Sequence, residues 1–287
     1  MIPKRNERRE SMVTYPAGDL LPCISCSEEK SLIYGKLPVE GAENFRSLDR
    51  YKTTDGRELK EGKLYRSGHL HDLTKADTEY FTLAGVHSIA DFRGPSEVED
   101  EPDKIPEGMS YLSYPIDIAG SELREKIISV IKGESDMDMI GYMLDINRQL
   151  ALNYSETYGK WIHDIIDNPD SLPQVFHCTA GKDRAGFAAA LLLRILEVPE
   201  ETIMANYLES NDYNAEYIEK TIKKIKLLTF IKNDGEEIRP LLAVDSRYLQ
   251  TAFDAIDSKW ESFENYEHQG LKLSNEDIKT LKNRLLE

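Results

Sequence analysis

Residues 174–186 read QVFHCTAGKDRAG and carry the clearest structural signal in the chain. Residues 174–178 form a short apolar run of the kind that makes a buried strand, and the strongly apolar segment 184–196 predicts a helix. Between the two lies a turn in which five residues separate Cys178 from Arg184. The stretch therefore predicts a strand, a tight turn and a helix, a sequence of elements typical of α/β domains.

The turn itself predicts a binding site for a tetrahedral anion such as phosphate. Backbone N–H groups of the turn and of the helix start can point at the anion, and the guanidinium of Arg184 can bind two of its oxygens at once. The same positive field favours the thiolate form of Cys178, which is the nucleophilic form. His177 precedes the cysteine, and we expect it to support the loop through hydrogen bonds. The predicted phosphate-binding residues are Thr179, Ala180, Gly181, Lys182, Asp183 and Arg184.

Outward from this stretch, strand patterns alternate with helix patterns. Further strands are predicted at residues 63–66, 86–92 and 111–116, and helices at 77–83 and 149–166. We therefore predict an α/β fold with a central, mostly parallel sheet flanked by helices.

The chain is predicted to contain one large domain behind a short leader. Residues 1–30 are polar and rich in proline, which predicts a poorly ordered segment. Residues 31–287 form the predicted domain, in which residues 119–150 show two helical faces and are interpreted as an inserted lid. A pair of ordinary core helices explains the same pattern equally well.

Composition limits the partners. The formal net charge of −16 argues against contact with nucleic acid, which requires a basic face, and no apolar run is long enough to span a membrane. Three cysteines are too few for a disulfide scaffold and fit a reducing compartment. We expect the cytoplasm as the location, or secretion if a leader has been removed. Cys23 and Cys26 form a CxxC pair that we interpret as incidental.

The motifs together resemble the bacterial protein tyrosine/serine phosphatases whose loops are similar to those of lipid phosphatases. The resemblance covers most of residues 40–287 and implies a metal-free, cofactor-free enzyme that forms a phosphocysteine intermediate, with a helical lid over the pocket in some members of the family. Ala185 departs from the threonine usual in this family, which is expected to slow hydrolysis of the intermediate. The motifs are the loop at 177–186, Asn44-Phe45-Arg46, Tyr65-Arg66-Ser67-Gly68, Asp91-Phe92-Arg93, Asn206-Tyr207-Leu208, Ser210-Asn211 and Tyr248-Leu249.

The general acid has three candidates, because the leaving oxygen needs a proton donor. Asp183 lies in the loop, and the resemblance favours it. Asp117 follows a predicted strand, where phosphatases of the wider superfamily carry a mobile acid loop. Asp91 ends another strand, and its alternative role is an ion pair with Arg184 or with Arg66, a predicted supporting residue.

The expected substrate is phosphotyrosine, with phosphoserine, phosphothreonine or a phosphoinositide as further possibilities that would make the specificity dual. Lys182 bears on this choice, because a second cation in the loop favours substrates with more than one phosphate. Two other functions stay open: a phosphate-binding module that has lost turnover, and a sulfur or arsenate transferase.

Overall fold

The computed structural model describes residues 37–49, 51–118, 129, 137–229 and 238–287. The predicted leader with Cys23 and Cys26 lies outside the described residues, as do residues 119–128 and 130–136 of the predicted insertion.

The fold is α/β, as predicted, with a five-stranded sheet at its centre. The strand order is β1-β2-β5-β3-β4; β1 runs antiparallel to β2, and the other neighbours are parallel. The strands are β1 (Arg46–Ser47), β2 (Leu64–Ser67), β3 (Ser88–Asp91), β4 (Ser110–Ser113) and β5 (Gln174–His177). The strand that precedes Cys178 is therefore innermost, between β2 and β3.

Both faces of the sheet are covered at its three inner strands, β2, β5 and β3, whereas the edge strand β4 is largely exposed. In β5, Val175 packs with Phe45, Phe81 and Ile89 on one face, while Phe176 belongs to the larger core on the other face. This alternation follows from the two-residue period of a strand. Parallel sheets need such cover on both sides, because their strands are buried throughout.

Helices form most of the remaining regular structure in the described chain. Residues 184–195 show why the pattern there is apolar all round, since nearly every side of that helix is buried. The helices are α1 (Lys75–Leu83), α2 (Pro95–Asp100), α3 (Met139–Asn153), α4 (Ser155–Asp167), α5 (Arg184–Ile195), α6 (Glu200–Leu208), α7 (Ser210–Tyr213), α8 (Ala215–Thr229), α9 (Arg239–Leu242), α10 (Ser246–Trp260), α11 (Phe263–Asn265) and α12 (Asn275–Leu285).

Two predicted boundaries differ from the structure. The helix predicted over 149–166 is two helices, because Tyr154 leaves the helical conformation (φ −116°, ψ 15°) between α3 and α4. The predicted end of the insertion near residue 150 falls inside α3. That helix packs against α10, and its Met143 and Leu150 are buried in the main core. The described part of the insertion therefore includes a core helix.

Among the described residues, no helix combines the length and the apolar character needed to cross a membrane.

Gly159 shows how closely the helices pack. A Cβ at this position of α4 would lie 2.3 Å from the backbone oxygen of Leu271, so Gly159→Ala forces backbone to move. We expect it to lower the free energy of unfolding by about 1–3 kcal/mol in urea titrations. The control is Glu156→Ala, an exposed position in the same helix. Equal stability of the two variants would contradict the close contact.

Candidate active site

The loop between β5 and α5 lies at the carboxyl edge of the sheet. β5 ends at His177, which is level with Ser67 of β2 and Asp91 of β3. Cys178 follows, and only 2% of its surface is exposed. Open parallel sheets bind their ligands at this edge, so the fold places the predicted loop where a ligand site is expected.

Gly181 lets the loop pass close to β2. Its φ of +66° lies in the left-handed region, and a Cβ there would be 2.4 Å from the carbonyl oxygen of Ser67. Any L side chain at this position would meet both strain and a clash.

Arg66 holds the loop from behind. Its buried guanidinium donates from Nε to the carbonyl oxygen of Gly181 at 2.7 Å and from Nη2 to that of Lys182 at 3.2 Å. The same guanidinium also donates hydrogen bonds from Nη1 to Asn206 Oδ1 at 3.2 Å and from Nη2 to Ser210 Oγ at 2.8 Å. The predicted supporting residue thus contacts the loop through its backbone carbonyls.

The two preceding carbonyl oxygens of the loop are also held by distant residues. The backbone N–H of His69 donates to Thr179 at 2.9 Å. The side-chain amides of Asn44 and Asn214 donate to Ala180 at 3.1 and 3.3 Å. The carbonyl groups of residues 179–182 therefore all point at donors outside the loop.

The orientation of these carbonyls determines where the N–H groups point. A peptide unit is planar and trans, so its N–H lies opposite its C=O. With four successive carbonyls turned outward, the N–H groups of residues 180–183 turn to the inner side. Within the described part of the chain, these N–H groups have no hydrogen-bond acceptor. They form a ring of donors that suits a tetrahedral anion.

Arg184 begins α5 beside this ring, held by a glutamate that the sequence analysis did not identify. Glu97 of α2 accepts from Arg184 Nη1 at 2.5 Å and from Nη2 at 2.7 Å, and it also accepts from Thr179 Oγ1. Burial alone would raise the pKa of Glu97, but the hydrogen bonds and charge of Arg184 outweigh it and lower that pKa to about 2. A bidentate pair fixes the plane of the guanidinium.

Asp183 precedes Arg184, and its carboxylate has one bonded and one unbonded oxygen. Oδ2 accepts from Lys182 Nζ at 2.7 Å. Oδ1 is buried and has no hydrogen-bond partner among the described residues. Lys182 is not a solvated surface lysine, because its side chain is 5% exposed.

Asp117 lies close to the loop but is exposed. Its neighbour Ile116 accepts from Arg184 Nη1 at 3.2 Å, and its own carbonyl oxygen accepts from Tyr154 at 2.6 Å. A Cβ at Gly94 would lie 3.2 Å from the Asp117 carboxylate, so the two residues are in contact. The structure thus places Asp117 on the same side of the sheet edge as Arg184.

Asp91 pairs with a partner that the sequence analysis did not name. It is completely buried and pairs with Arg93, rather than with Arg184 or Arg66, through hydrogen bonds of 2.8 to 3.1 Å. Burial would raise the pKa of Asp91, yet the charges of His177 and Arg93 lower it to about 2. Asp91 therefore has the surroundings of a structural carboxylate.

The same cluster includes Asp103, a second residue that the sequence analysis did not identify. Its Oδ2 lies 3.1 Å from His177 Nε2 and also accepts from Arg93 Nη2 at 2.5 Å. Asp91, Asp103 and His177 come close enough together to hold a metal ion. The guanidinium of Arg93 already contacts both carboxylates, so the cluster is an ion-pair network around His177.

An apolar pocket of about 310 Å³ opens above Asp183 and Arg184. Helices α3, α8 and α9 supply most of its wall, so the charged groups lie against apolar side chains. The other lining residues are Ile118, Tyr142, Met143, Ile146, Thr221, Ile225, Ile238, Leu241 and Leu242. Such a site suits a ligand with an anionic end and an apolar body.

Several motifs noted separately in the sequence meet behind the loop. Arg46 donates to the carbonyl oxygen of Asn206 at 3.0 Å and to Ser210 Oγ at 3.2 Å, and these two residues also bind Arg66.

The only local signal for Glu97 was its position three residues after Gly94, whose N–H donates to the Glu97 carboxylate at the start of α2. That position is typical of helix capping and does not reveal a partner far along the chain.

Comparison with known proteins places these observations in a family. A model of the tyrosine phosphatase family matches residues 37–287. A Cupriavidus necator protein named as a tyrosine-protein phosphatase is 31% identical over 237 residues, covering 83% of this chain and 84% of that protein. The triple specificity protein phosphatase PtpB of Mycobacterium tuberculosis is 28% identical over 262 residues, covering 79% and 91%. The crystal structure of TpbA from P. aeruginosa matches 61% of this chain and 91% of that chain, at 14% identity and a TM-score of 0.26.

The Glu97 pair leads to a prediction about anion binding. Glu97→Gln keeps the shape of the side chain but removes the charge that fixes Arg184. We expect the dissociation constant for vanadate to rise about 10- to 100-fold in calorimetry, because small displacements of a positioning group cost this much. Glu99→Gln is the matched control, with the same change at an exposed position of α2. Equal affinities would show that Arg184 is positioned without Glu97.

Proposed function

The chain belongs to the tyrosine phosphatase family and is a phosphatase, and from this premise we propose that it hydrolyses phosphotyrosine through a covalent phosphocysteine at Cys178. The observation that carries the proposal is the ring of N–H groups between Cys178 and Arg184, which have no hydrogen-bond acceptor among the residues that the structure describes. These donors, with the guanidinium, match the charge that spreads over the three oxygens of a transferring phosphoryl group.

In the proposed first step, the thiolate of Cys178 attacks phosphorus in line with the leaving oxygen. The phosphorus–oxygen bond breaks as the phosphorus–sulfur bond forms, and the leaving oxygen takes a proton from an aspartic acid. Arg184 and the N–H groups hold the phosphoryl oxygens throughout. The arrangement supplies its stabilisation before the substrate arrives, which is the efficient form of electrostatic catalysis.

In the second step, water attacks the phosphocysteine and gives a proton to the same aspartate. The phosphorus–sulfur bond breaks, which regenerates the thiolate and releases inorganic phosphate. Ala185, the first residue after Arg184, offers no hydroxyl to the leaving thiolate. We therefore expect this step to be slow relative to a variant with threonine there.

We assign the general acid to Asp183 ahead of Asp117. Asp183 lines the pocket, and its Oδ1, which has no partner in the described part of the chain, is available to carry the proton while Oδ2 remains bound to Lys182. Asp117 is exposed and is not part of the pocket wall. Asp91 is left in a supporting role, because its contacts go to the cluster around His177.

The pocket supports phosphotyrosine as the first substrate. Its apolar wall suits an aromatic ring, whereas an inositol ring requires polar partners for its hydroxyl groups. The position of Lys182 in the sequence suggested a second cation for a phosphoinositide. Its ammonium is buried against Asp183, which weakens that argument. Phosphoserine and phosphothreonine, with shorter side chains, remain secondary substrates in this proposal.

The two other functions have less support. A binding module without turnover would rest on Ala185 alone, against an intact nucleophile and acid. A sulfur or arsenate transferase would need a second cysteine near the first, and Cys178 is the only cysteine in the described part of the chain. A disulfide between Cys178 and Cys23 or Cys26 after mild oxidation would favour the transferase.

We further propose that residues 31–287 act as one phosphatase domain and that the protein works in the cytoplasm. The second point rests on the low cysteine content. Secretion of the protein remains the alternative.

The nucleophile is tested by comparing Cys178→Ser with wild type. We expect release of phosphate from a phosphotyrosine peptide to fall at least about 10³-fold, since the alcohol is a far weaker nucleophile at neutral pH. The chemistry uses no metal ion, so a chelator should leave the wild-type rate unchanged. Vanadate binding by wild type without any turnover would support the binding module instead.

The general acid is identified by substituting each candidate aspartate and asking whether the loss of rate depends on the leaving group. Asp183→Asn should slow hydrolysis of phenyl phosphate about 10²-fold or more but that of p-nitrophenyl phosphate much less, because p-nitrophenolate leaves without a proton. Asp117→Asn is the matched control, with the same chemical change beside the loop. If only Asp117→Asn shows this dependence, Asp117 is the acid and our assignment is wrong.

A further inference from the structure

Helix α8 forms part of the pocket wall. Its Thr221 and Ile225 line the pocket that contains Arg184. On an adjoining side of the helix, Ile218 and Ile222 pack against Ile238 and are buried. The helix therefore has a fixed orientation relative to the phosphate-binding loop.

The side of α8 next to the pocket wall is exposed. Residues three or four apart lie side by side on a helix, so Tyr217 and Lys224 flank Thr221, and Lys220 and Leu227 continue the row. All four are exposed, Tyr217 by 42% and Leu227 by 76%. We call these four residues, Tyr217, Lys220, Lys224 and Leu227, the α8 edge.

The α8 edge is positive in a chain whose net charge is −16. Residues 215–229 contain four lysines and two glutamates, and both glutamates have basic partners: Glu216 pairs with Lys220 at 2.7 Å, and Glu219 pairs with Arg239 at 3.0 Å. Lys224 has no carboxylate partner within the described ranges. The pair at Lys220 is exposed on both sides and contributes little, so a competing carboxylate can replace it.

We propose that the α8 edge binds acidic residues that flank the phosphotyrosine of a substrate protein. The proposal rests on the proposed function, because it needs a phosphotyrosine bound in the pocket. With the phosphate at Arg184 and the ring along Thr221 and Ile225, the polypeptide leaves the pocket beside this edge. Its carboxylates then meet Lys220 and Lys224, and its apolar side chains meet Tyr217 and Leu227.

A protein segment fits this surface better than an anionic membrane does. Membrane attachment by charge takes a cluster of roughly four to eight basic residues, whereas the α8 edge supplies two. A bilayer would also meet the rest of an acidic protein and be repelled by it. A peptide touches only the edge, so the local charge decides the interaction.

The test uses a phosphotyrosine peptide with glutamates on both sides of the phosphotyrosine, and the same peptide with glutamines there. The readout is the ratio of the two kcat/KM values. We expect wild type to prefer the acidic peptide at low salt, and Lys220→Glu with Lys224→Glu to lower the ratio about 10-fold. At high salt, the ratio for wild type and the ratio for the Lys220/Lys224 variant should become similar, because salt screens the charges. Lys75→Glu with Lys226→Glu is the matched control, because Lys75 is an exposed residue of α1, which does not line the pocket, and Lys226 lies about 120° or more around α8 from Lys220 and Lys224.

The outcomes separate this inference from the proposed function. If wild type hydrolyses neither peptide, the proposed function fails. If wild type hydrolyses both peptides, the ratio of the two kcat/KM values decides. When only the control pair of substitutions changes this ratio, or when no variant changes it, the α8 edge is not the docking surface. Melting curves confirm that each variant is folded. Binding of wild type, but not of the Lys220/Lys224 variant, to phosphatidylcholine–phosphatidylserine vesicles, with an unchanged peptide ratio, would overturn the proposal in favour of a membrane.

Discussion

A planar peptide unit carries its C=O and its N–H on opposite sides, and the site around Cys178 depends on that constraint. A short loop can present a row of N–H groups to an anion only if something else takes up its carbonyls. Arg66, Asn44, Asn214 and the backbone of His69 do so from four separate places in the chain. The fold around the loop therefore serves to keep these donors behind it.

Three arginines near the sheet edge have distinct partners. Arg93 is neutralised by Asp91 and Asp103, and Arg184 is held by Glu97. Arg66 bonds only to neutral groups, and no carboxylate within the described residues lies at ion-pair distance from it. Its charge is left directly behind the loop, where it adds to the field that an incoming phosphate meets. Burial itself lowers the pKa of Arg66, which is the cost of placing an uncompensated charge there.

The sequence predicted the strand, loop and helix around Cys178 because these elements are contiguous and each has its own local pattern. It also predicted the central, mostly parallel sheet. It did not identify Glu97 or Asp103, because an ion pair between residues as far apart as Glu97 and Arg184 leaves no periodic signal in either segment. It placed Asp91 near the loop from its position at a strand end and named Arg184 or Arg66 as its alternative partner, but Arg93, two residues away, forms the bidentate pair. The break at Tyr154 was missed because apolar residues continue on both sides of it.

The clamps on the loop carbonyls also bear on how substrate binding energy is used. A loop that had to adopt its shape around each phosphate would lose backbone entropy at every binding event, at a cost on the order of 1–2 kcal/mol for each residue ordered. Here that ordering was completed when the chain folded, and it is maintained by side chains that never touch the substrate. The affinity of the pocket for phosphate is then not spent on organising the protein, and more of it remains to lower the barrier to phosphoryl transfer.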